Sequence, residues 1–300
     1  MPQTMFAIVG PTASGKTDVA LRVAERIGAE IVSCDSMQLY RELDVGTAKP
    51  TAQERKRVRH HLVDLLAPDE SFSAARYAED ADRAIADIQA RGRRVLVVGG
   101  TGLYLRALRF GLFAAPPRDE TLRRRLLDEE QRTSGVLHLK LRAVDPRAAE
   151  RIAPADLVRL VRALEVHTLT GVPISEHHAR HAAEPRHPME VMLLDPPKER
   201  LEGRIAARVD VMLAGGLVDE TRRIRGKWGV GVTGLGAVGY AEVCQLLDGE
   251  LAASALPDAI FRATRRYARR QRTWFAKEPG AHRFGGPDEL ARAIDALCRR

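Results

Sequence analysis

Short, mostly apolar runs alternate along the chain with longer segments whose apolar residues recur at helical spacing. That pattern predicts strands buried on both faces and joined by helices. The runs are Phe6-Ala7-Ile8-Val9, Glu30-Ile31-Val32-Ser33, Val95-Leu96-Val97-Val98 and Val191-Met192-Leu193-Leu194. Helices are expected over 18–26 and over 73–90, where Tyr77, Ala81, Ile85 and Ile88 share a face. At Ala114-Ala115-Pro116-Pro117, which reads as a domain joint, the pattern turns purely helical. Helices are expected over 119–131 and 145–152. Pro154 is expected to open a third, with Leu157, Leu160, Val161 and Leu164 buried, Arg159 and Arg162 opposite, and Gly171 past its end. His177-His178-Ala179-Arg180-His181, with Pro185, His187 and Pro188, reads as a basic hinge loop, a metal tract being the other reading. Over 198–214, Leu201, Ile205, Val209 and Met212 form one stripe and Arg200, Arg204 and Arg208 another. Pro257 is expected to start the last long helix. It carries Arg262, Arg265, Arg266, Arg269, Arg270 and Arg272 among Tyr267, Trp274 and Phe275.

The first apolar run leads into Gly10-Pro11-Thr12-Ala13-Ser14-Gly15-Lys16-Thr17, which fits G-x-x-x-x-G-K-[ST]. Between a strand and a helix, such a turn aims backbone N–H groups and a helix dipole at one phosphate. Lys16 adds a charge, and the Thr17 hydroxyl is placed to ligate Mg²⁺. The fold expected is therefore α/β: a P-loop NTPase-like parallel-sheet core, residues 1–114 and 190–300, with a helical domain inserted at 115–189. Ligands of open α/β sheets collect at the carboxyl ends of strands. Two more strand ends face that crevice, Asp35-Ser36 and Gly99-Gly100-Thr101-Gly102. Asp35 is open to two readings, a base or Mg²⁺ organiser and a helix cap. The pair His60-His61 near Asp64 has poor spacing for a metal, so packing and hydrogen bonding are expected there.

Composition narrows the partner. The 300 residues are 45% hydrophobic and 29% charged, values of a globular chain, with no apolar run of transmembrane length. No signal pattern is present, and Cys34, Cys244 and Cys298 are too few for a disulfide framework. A reducing cytoplasm and a monomer are expected. The net charge of +8 favours a polyanionic partner, although arginine is abundant everywhere in the chain. Arginines interleaved with aromatics in the 257–275 helix suit RNA, where phosphates take the charge and unstacked bases the rings. A core beneath a solvated arginine face is the alternative.

Taken together, these segments resemble the bacterial tRNA dimethylallyltransferase (IPP transferase) family over nearly the whole chain. The resemblance is carried by the P-loop, Ser33-Cys34-Asp35-Ser36-Met37-Gln38, Gly46-Thr47-Ala48-Lys49-Pro50, His60-His61-Leu62-Val63-Asp64 and Val98-Gly99-Gly100-Thr101-Gly102-Leu103-Tyr104. Arg162-Ala163-Leu164-Glu165-Val166, Val238-Gly239-Tyr240 and Arg269-Arg270-Gln271 with Thr273-Trp274 complete it. It implies transfer of a dimethylallyl group from dimethylallyl diphosphate to N6 of the adenosine 3′-adjacent to the anticodon, through a positively charged channel. The P-loop would then hold a diphosphate leaving group, with Asp35 as base. Thr101 would touch the bridging oxygen, and Lys16, Arg208 and Thr17 with Mg²⁺ would stabilise the growing charge. By the same resemblance the tRNA anticodon stem-loop is met by Asp35-Ser36-Met37-Gln38, Thr101, Arg123, Arg159-Leu160-Val161-Arg162-Ala163 and Arg269, Arg270, Gln271 and Trp274. The chain departs from the family at Ala155, where Asn is usual before Asp156, and has Val238 for a common Ile. Three rivals share the P-loop: a small-metabolite kinase, an isopentenyltransferase for free adenine nucleotides, and a non-enzymatic RNA-binding switch.

Overall fold

The computed structural model describes residues 4–181 and 185–299. In chain order the first stretch holds β1 (Met5–Val9), α1 (Lys16–Ile27), β2 (Ala29–Cys34), α2 (Ala52–Arg57), β3 (His60–His61), α3 (Ala74–Ala90), β4 (Arg94–Gly99) and α4 (Gly102–Phe110). A helical stretch follows: α5 (Glu120–Arg132), α6 (Val136–Val144), α7 (Pro146–Ala149), α8 (Leu157–Thr170) and α9 (Ile174–Arg180). The chain then returns through β5 (Met189–Leu194), α10 (Lys198–Ala214), α11 (Leu217–Trp228), α12 (Tyr240–Leu247), α13 (Leu256–Phe275), β6 (His282–Phe284) and α14 (Pro287–Cys298). It divides into two compact units, 1–109 with 186–300, and 110–185.

In the first unit the strands form one parallel sheet ordered β3-β2-β4-β1-β5-β6. Ala7 lies between Val97 and Val191 in register. Because strand side chains alternate in direction, Met5, Ala7 and Val9 join one core with α3 and α4, while Phe6 and Ile8 join another with α1 and α14. Each fully buried Phe or Ile side chain contributes about 1.5–3 kcal/mol. A strand buried on both faces is therefore mostly apolar, which is why the runs were legible; the polar Glu30 and Ser33 of β2 are hydrogen-bonded to His61 and Gln38. All strands run the same way, so the P-loop, Asp35, Gly100 and Asp195 emerge at the same edge of the sheet.

In the second unit, Leu122 and Leu126 of α5, Leu137 and Leu141 of α6 and Leu160, Val161, Ala163 and Leu164 of α8 close a separate core. Glu165 is wholly buried beside it. It accepts the Asp119 N–H (2.9 Å) and pairs with Arg123 (2.8 Å) and Arg162 (2.5 Å).

Several expectations are corrected. Pro154 does not open α8; Asp156 caps it, its Oδ1 accepting the Arg159 N–H. The helix expected over 145–152 is the four-residue α7, capped by Asp145, and Glu130 satisfies the first N–H groups of the unexpected α6. Only the second half of the histidine tract is a loop: His177 to Arg180 lie in α9, with His177 stacked on Phe113 at 5.0 Å, while His181 and residues 185–188 lie outside helix and strand. Within that stretch, residues 182–184 lie outside the described residues. His60-His61 makes the hydrogen bonds expected of it, to Val58 O and Glu30, from a two-residue strand, and Asp64 takes Lys49 and Arg55. The arginine-rich α13 is not the last helix; α14 follows and covers the α1 face.

Candidate active site at the strand ends

Lys16 begins α1, and the loop before it is held open by backbone choices. Gly15 sits at φ 94° and Ala13 at φ 61°, a left-handed conformation that costs a non-glycine residue about 1–2 kcal/mol. Ser14 is buried and its carbonyl accepts Arg204 Nη1 at 2.5 Å. Lys16 Nζ donates back to the Pro11 carbonyl at 2.6 Å. The loop thus faces a cavity of about 740 Å³, lined at this end by Thr12, Ala13, Gly15, Lys16 and Thr17.

Asp35, Ser36, Met37 and Gln38 line the same cavity from the end of β2, and Gly99 and Gly100 from the end of β4. Asp35 Oδ1 accepts the Met37 N–H at 2.9 Å, so the carboxylate caps its own turn as well as facing the cavity. Thr101 stands behind Ser36: its Oγ1 accepts the Ser36 N–H at 3.0 Å and its own N–H goes to Cys34 O at 3.1 Å. Arg204 and Arg208 enter from α10. Of the arginine stripe, Arg200 stays exposed.

Four cationic side chains, Lys16, Arg204, Arg208 and Arg270, line this cavity against two carboxylates, Asp18 and Asp35. Burial pushes the Lys16 amine down to about 8; Asp35 opposes that shift and Arg208 adds to it. Burial also lowers Arg208, with Asp35 again opposing. These cations are costly without an anion, which suits the site to a polyanionic ligand. Ala207, Val211, Met212, Ala237 and Val238 supply an apolar wall. At a rise of about 1.5 Å per residue, Val211 stands about 10 Å along α10 from Arg204. The site therefore has a phosphate end and an apolar end.

One feature escaped the sequence reading. Glu220, buried in α11, accepts the N–H of Asp44 (3.2 Å) and Val45 (3.1 Å) and the Tyr240 hydroxyl (2.5 Å), and Tyr240 in turn accepts the Gly46 N–H. This clamp shapes the loop whose Gly46 carbonyl takes Arg208 Nη2 at 3.4 Å. Its partners are too far apart in sequence to leave a local signal. Tyr267, one of the aromatics expected among the α13 arginines, lines the cavity with Arg270 over its ring at 5.4 Å.

The residues expected to meet RNA divide sharply. Arg269 and Arg270 are exposed on α13, as is Arg159 on α8, where it pairs with Asp156 at 3.3 Å. Arg123 and Arg162 are engaged by Glu165. Leu160, Val161 and Ala163 have their side chains buried in the second unit's core. Gln271 is buried too, and Trp274 is half-buried against Gly102, where a Cβ would collide with its indole. Among the described residues no three His, Cys, Asp or Glu side chains gather as a metal cage, and no helix is long and apolar enough to cross a membrane.

A family model described as IPP transferase matches residues 38–278. A tRNA dimethylallyltransferase of Anaeromyxobacter sp. (strain Fw109-5) is 49% identical over 296 residues, covering 97% of this chain and 98% of that protein. One of Myxococcus xanthus (strain DK1622) is 44% identical over 299 residues, covering 98% and 96%. Among solved structures, the full-length tRNA isopentenylpyrophosphate transferase of Bacillus halodurans is 36% identical with a TM-score of 0.73, over 99% of this chain and 97% of that one. A eukaryotic dimethylallyltransferase acting on tRNA is 25% identical with a TM-score of 0.80, over 99% and 80%.

Proposed function

This chain belongs to the IPP transferase family, and from that premise we propose that it transfers the dimethylallyl group of dimethylallyl diphosphate to N6 of the adenosine 3′-adjacent to the anticodon of tRNA, releasing diphosphate. The observation that carries the reading is the meeting, in one cavity, of a P-loop, two α10 arginines and a single carboxylate at the end of β2. The phosphate end takes the diphosphate and the apolar wall takes the five-carbon tail. The N6 amine attacks C1 of the allyl group. The C1–O bond breaks, its electron pair passes to the bridging oxygen, and the N6 proton passes to Asp35. Lys16, Arg204 and Arg208 stabilise the charge as it grows on the departing oxygens, where such groups contribute most. Thr101, hydrogen-bonded to Ser36, orients the turn beside the reacting centre.

A divalent cation fits the residues present. The Thr17 hydroxyl lines the cavity without a carboxylate cage, the arrangement in which Mg²⁺ is shared with substrate phosphates and water. Bound there it supplies Lewis-acid stabilisation of diphosphate. The exposed arginines of α13, and Arg159 of the second unit, are suited to the tRNA backbone.

The test is incubation with labelled dimethylallyl diphosphate and unmodified tRNA carrying an adenosine beside the anticodon. Label is expected in tRNA as N6-isopentenyladenosine. Label in AMP or ATP and not in tRNA would assign the enzyme to free nucleotides; phosphoryl transfer from ATP to a metabolite would make it a kinase.

A further inference from the structure

Helix α13 has two chemically different faces. Arg265, Arg266, Arg269 and Arg270 are exposed on it. Gln271 and Trp274, three apart and therefore neighbours on one face, lie inward against the turn after β4. Gln271 Oε1 accepts the Thr12 N–H at 2.8 Å, and Gln271 Nε2 donates to the Gly100 carbonyl at 2.9 Å. One buried amide thereby joins the phosphate loop to the turn that leads into Thr101. A primary amide suits the task because it sets an acceptor and a donor side by side in one plane; a carboxylate lacks the donor and a lysine lacks the acceptor. The turn is shaped to receive it, since a Cβ on Gly100 would collide with the Gln271 amide.

We propose that Gln271 is a positioning residue for the transfer reaction, a clamp that sets the phosphate loop against the Gly100-Thr101 turn and fastens both to the arginine-bearing helix. The inference rests on the prenyl-transfer reading above. It also reassigns Gln271 from contact with tRNA: with 6% of its surface exposed and both amide heteroatoms engaged inside the protein, the side chain acts through Thr12 and Gly100. The leaving group is held by one of these segments and the reacting centre lies beside the other. The clamp therefore governs how well the C1–O bond is aligned for attack, and an error of about 1 Å in such geometry costs about 100-fold in rate.

Two variants test the clamp. Gln271→Met keeps the length and removes both hydrogen bonds. Gln271→Glu keeps the acceptor when ionised and regains a donor when protonated, because a neutral carboxyl offers the same donor–acceptor pair. For each, kcat, tRNA Kd and inorganic diphosphate Kd are measured across pH beside wild type. The expected result for Gln271→Met is a kcat lowered 10- to 100-fold and weaker diphosphate binding, with tRNA Kd within twofold of wild type. For Gln271→Glu the activity relative to wild type rises as pH falls. Weakened tRNA binding with unchanged kcat and diphosphate Kd would overturn the proposal, as would a Gln271→Glu ratio flat across pH. If Gln271→Met does not fold, the pH ratio of Gln271→Glu decides alone. Failure of wild type to label tRNA would instead reject the prenyl-transfer reading, and the diphosphate affinities would still judge the clamp.

Discussion

Asp35 shows how one side chain serves two ends. Its Oδ1 caps the turn through the Met37 N–H, and its charge acts on Lys16 and Arg208 across the cavity. The sequence left cap and base as alternatives; the geometry lets them coexist. Asp35→Asn keeps an acceptor for Met37 and loses the proposed base, so single-turnover transfer is expected to fall by about 10²–10⁴ with an unchanged melting temperature. Asp35→Ala is expected to lose rate and some stability together. Lys16 carries a pH prediction. Burial lowers its pKa to about 8, so the free enzyme is charged there below that value and neutral above it. Since kcat/KM reports free-enzyme groups, kcat/KM for dimethylallyl diphosphate is expected to decline as pH rises through about 8. A profile flat to high pH would show that the amine keeps its proton.

Among the elements, short loops are held by helices far along the chain. The Glu220–Tyr240 pair fastens the loop from Asp44 to Gly46. Removing the carboxylate strands buried N–H donors, each worth about 1–3 kcal/mol. Glu220→Ala is therefore expected to destabilise the protein by about 3 kcal/mol in urea unfolding and Tyr240→Phe by less. Equal and negligible losses would mean that water replaces the clamp. Helix α8 holds a second buried acid. Burial works to raise the Glu165 pKa, but hydrogen bonds from Arg123, Arg162 and the Asp119 N–H outweigh it, so the folded value lies below the ordinary 4.5. A depressed folded pKa gives stability that is present above the unfolded value and lost as pH falls through the folded one. The stability gap between wild type and Glu165→Gln is accordingly expected to shrink as pH drops below about 4.5. A gap that persists at lower pH would assign it to packing.

At the level of the whole molecule, the net charge of +8 has direction only once the pairs are known. Arg22, Arg26, Arg57 and Arg162 are answered by carboxylates, whereas Arg269 and Arg270 stand exposed on one helix. Each phosphate contact lowers the slope of log K against log salt by about 0.9 on duplex and about 0.7 on single strands. Arg266→Glu with Arg269→Glu is expected to weaken tRNA binding more than tenfold and to flatten that slope by one to two, while diphosphate affinity holds. A slope unchanged by the pair would move the tRNA track off α13.

The sequence by itself determined the sheet strands buried on both faces, the P-loop and the strand ends that gather around it. Each is written in consecutive residues, where periodicity or a fixed spacing suffices. It could not disclose β3, with two residues, or β6, with three, because elements that short span too little of a period to show one. Nor could it say which polar side chains are spent on the protein itself. Thr12 and Gln271, or Glu220 and Gly46, meet only after the chain has folded. Whether an arginine or an amide is free for a ligand depends on such long-range partners, and tertiary structure alone decides that.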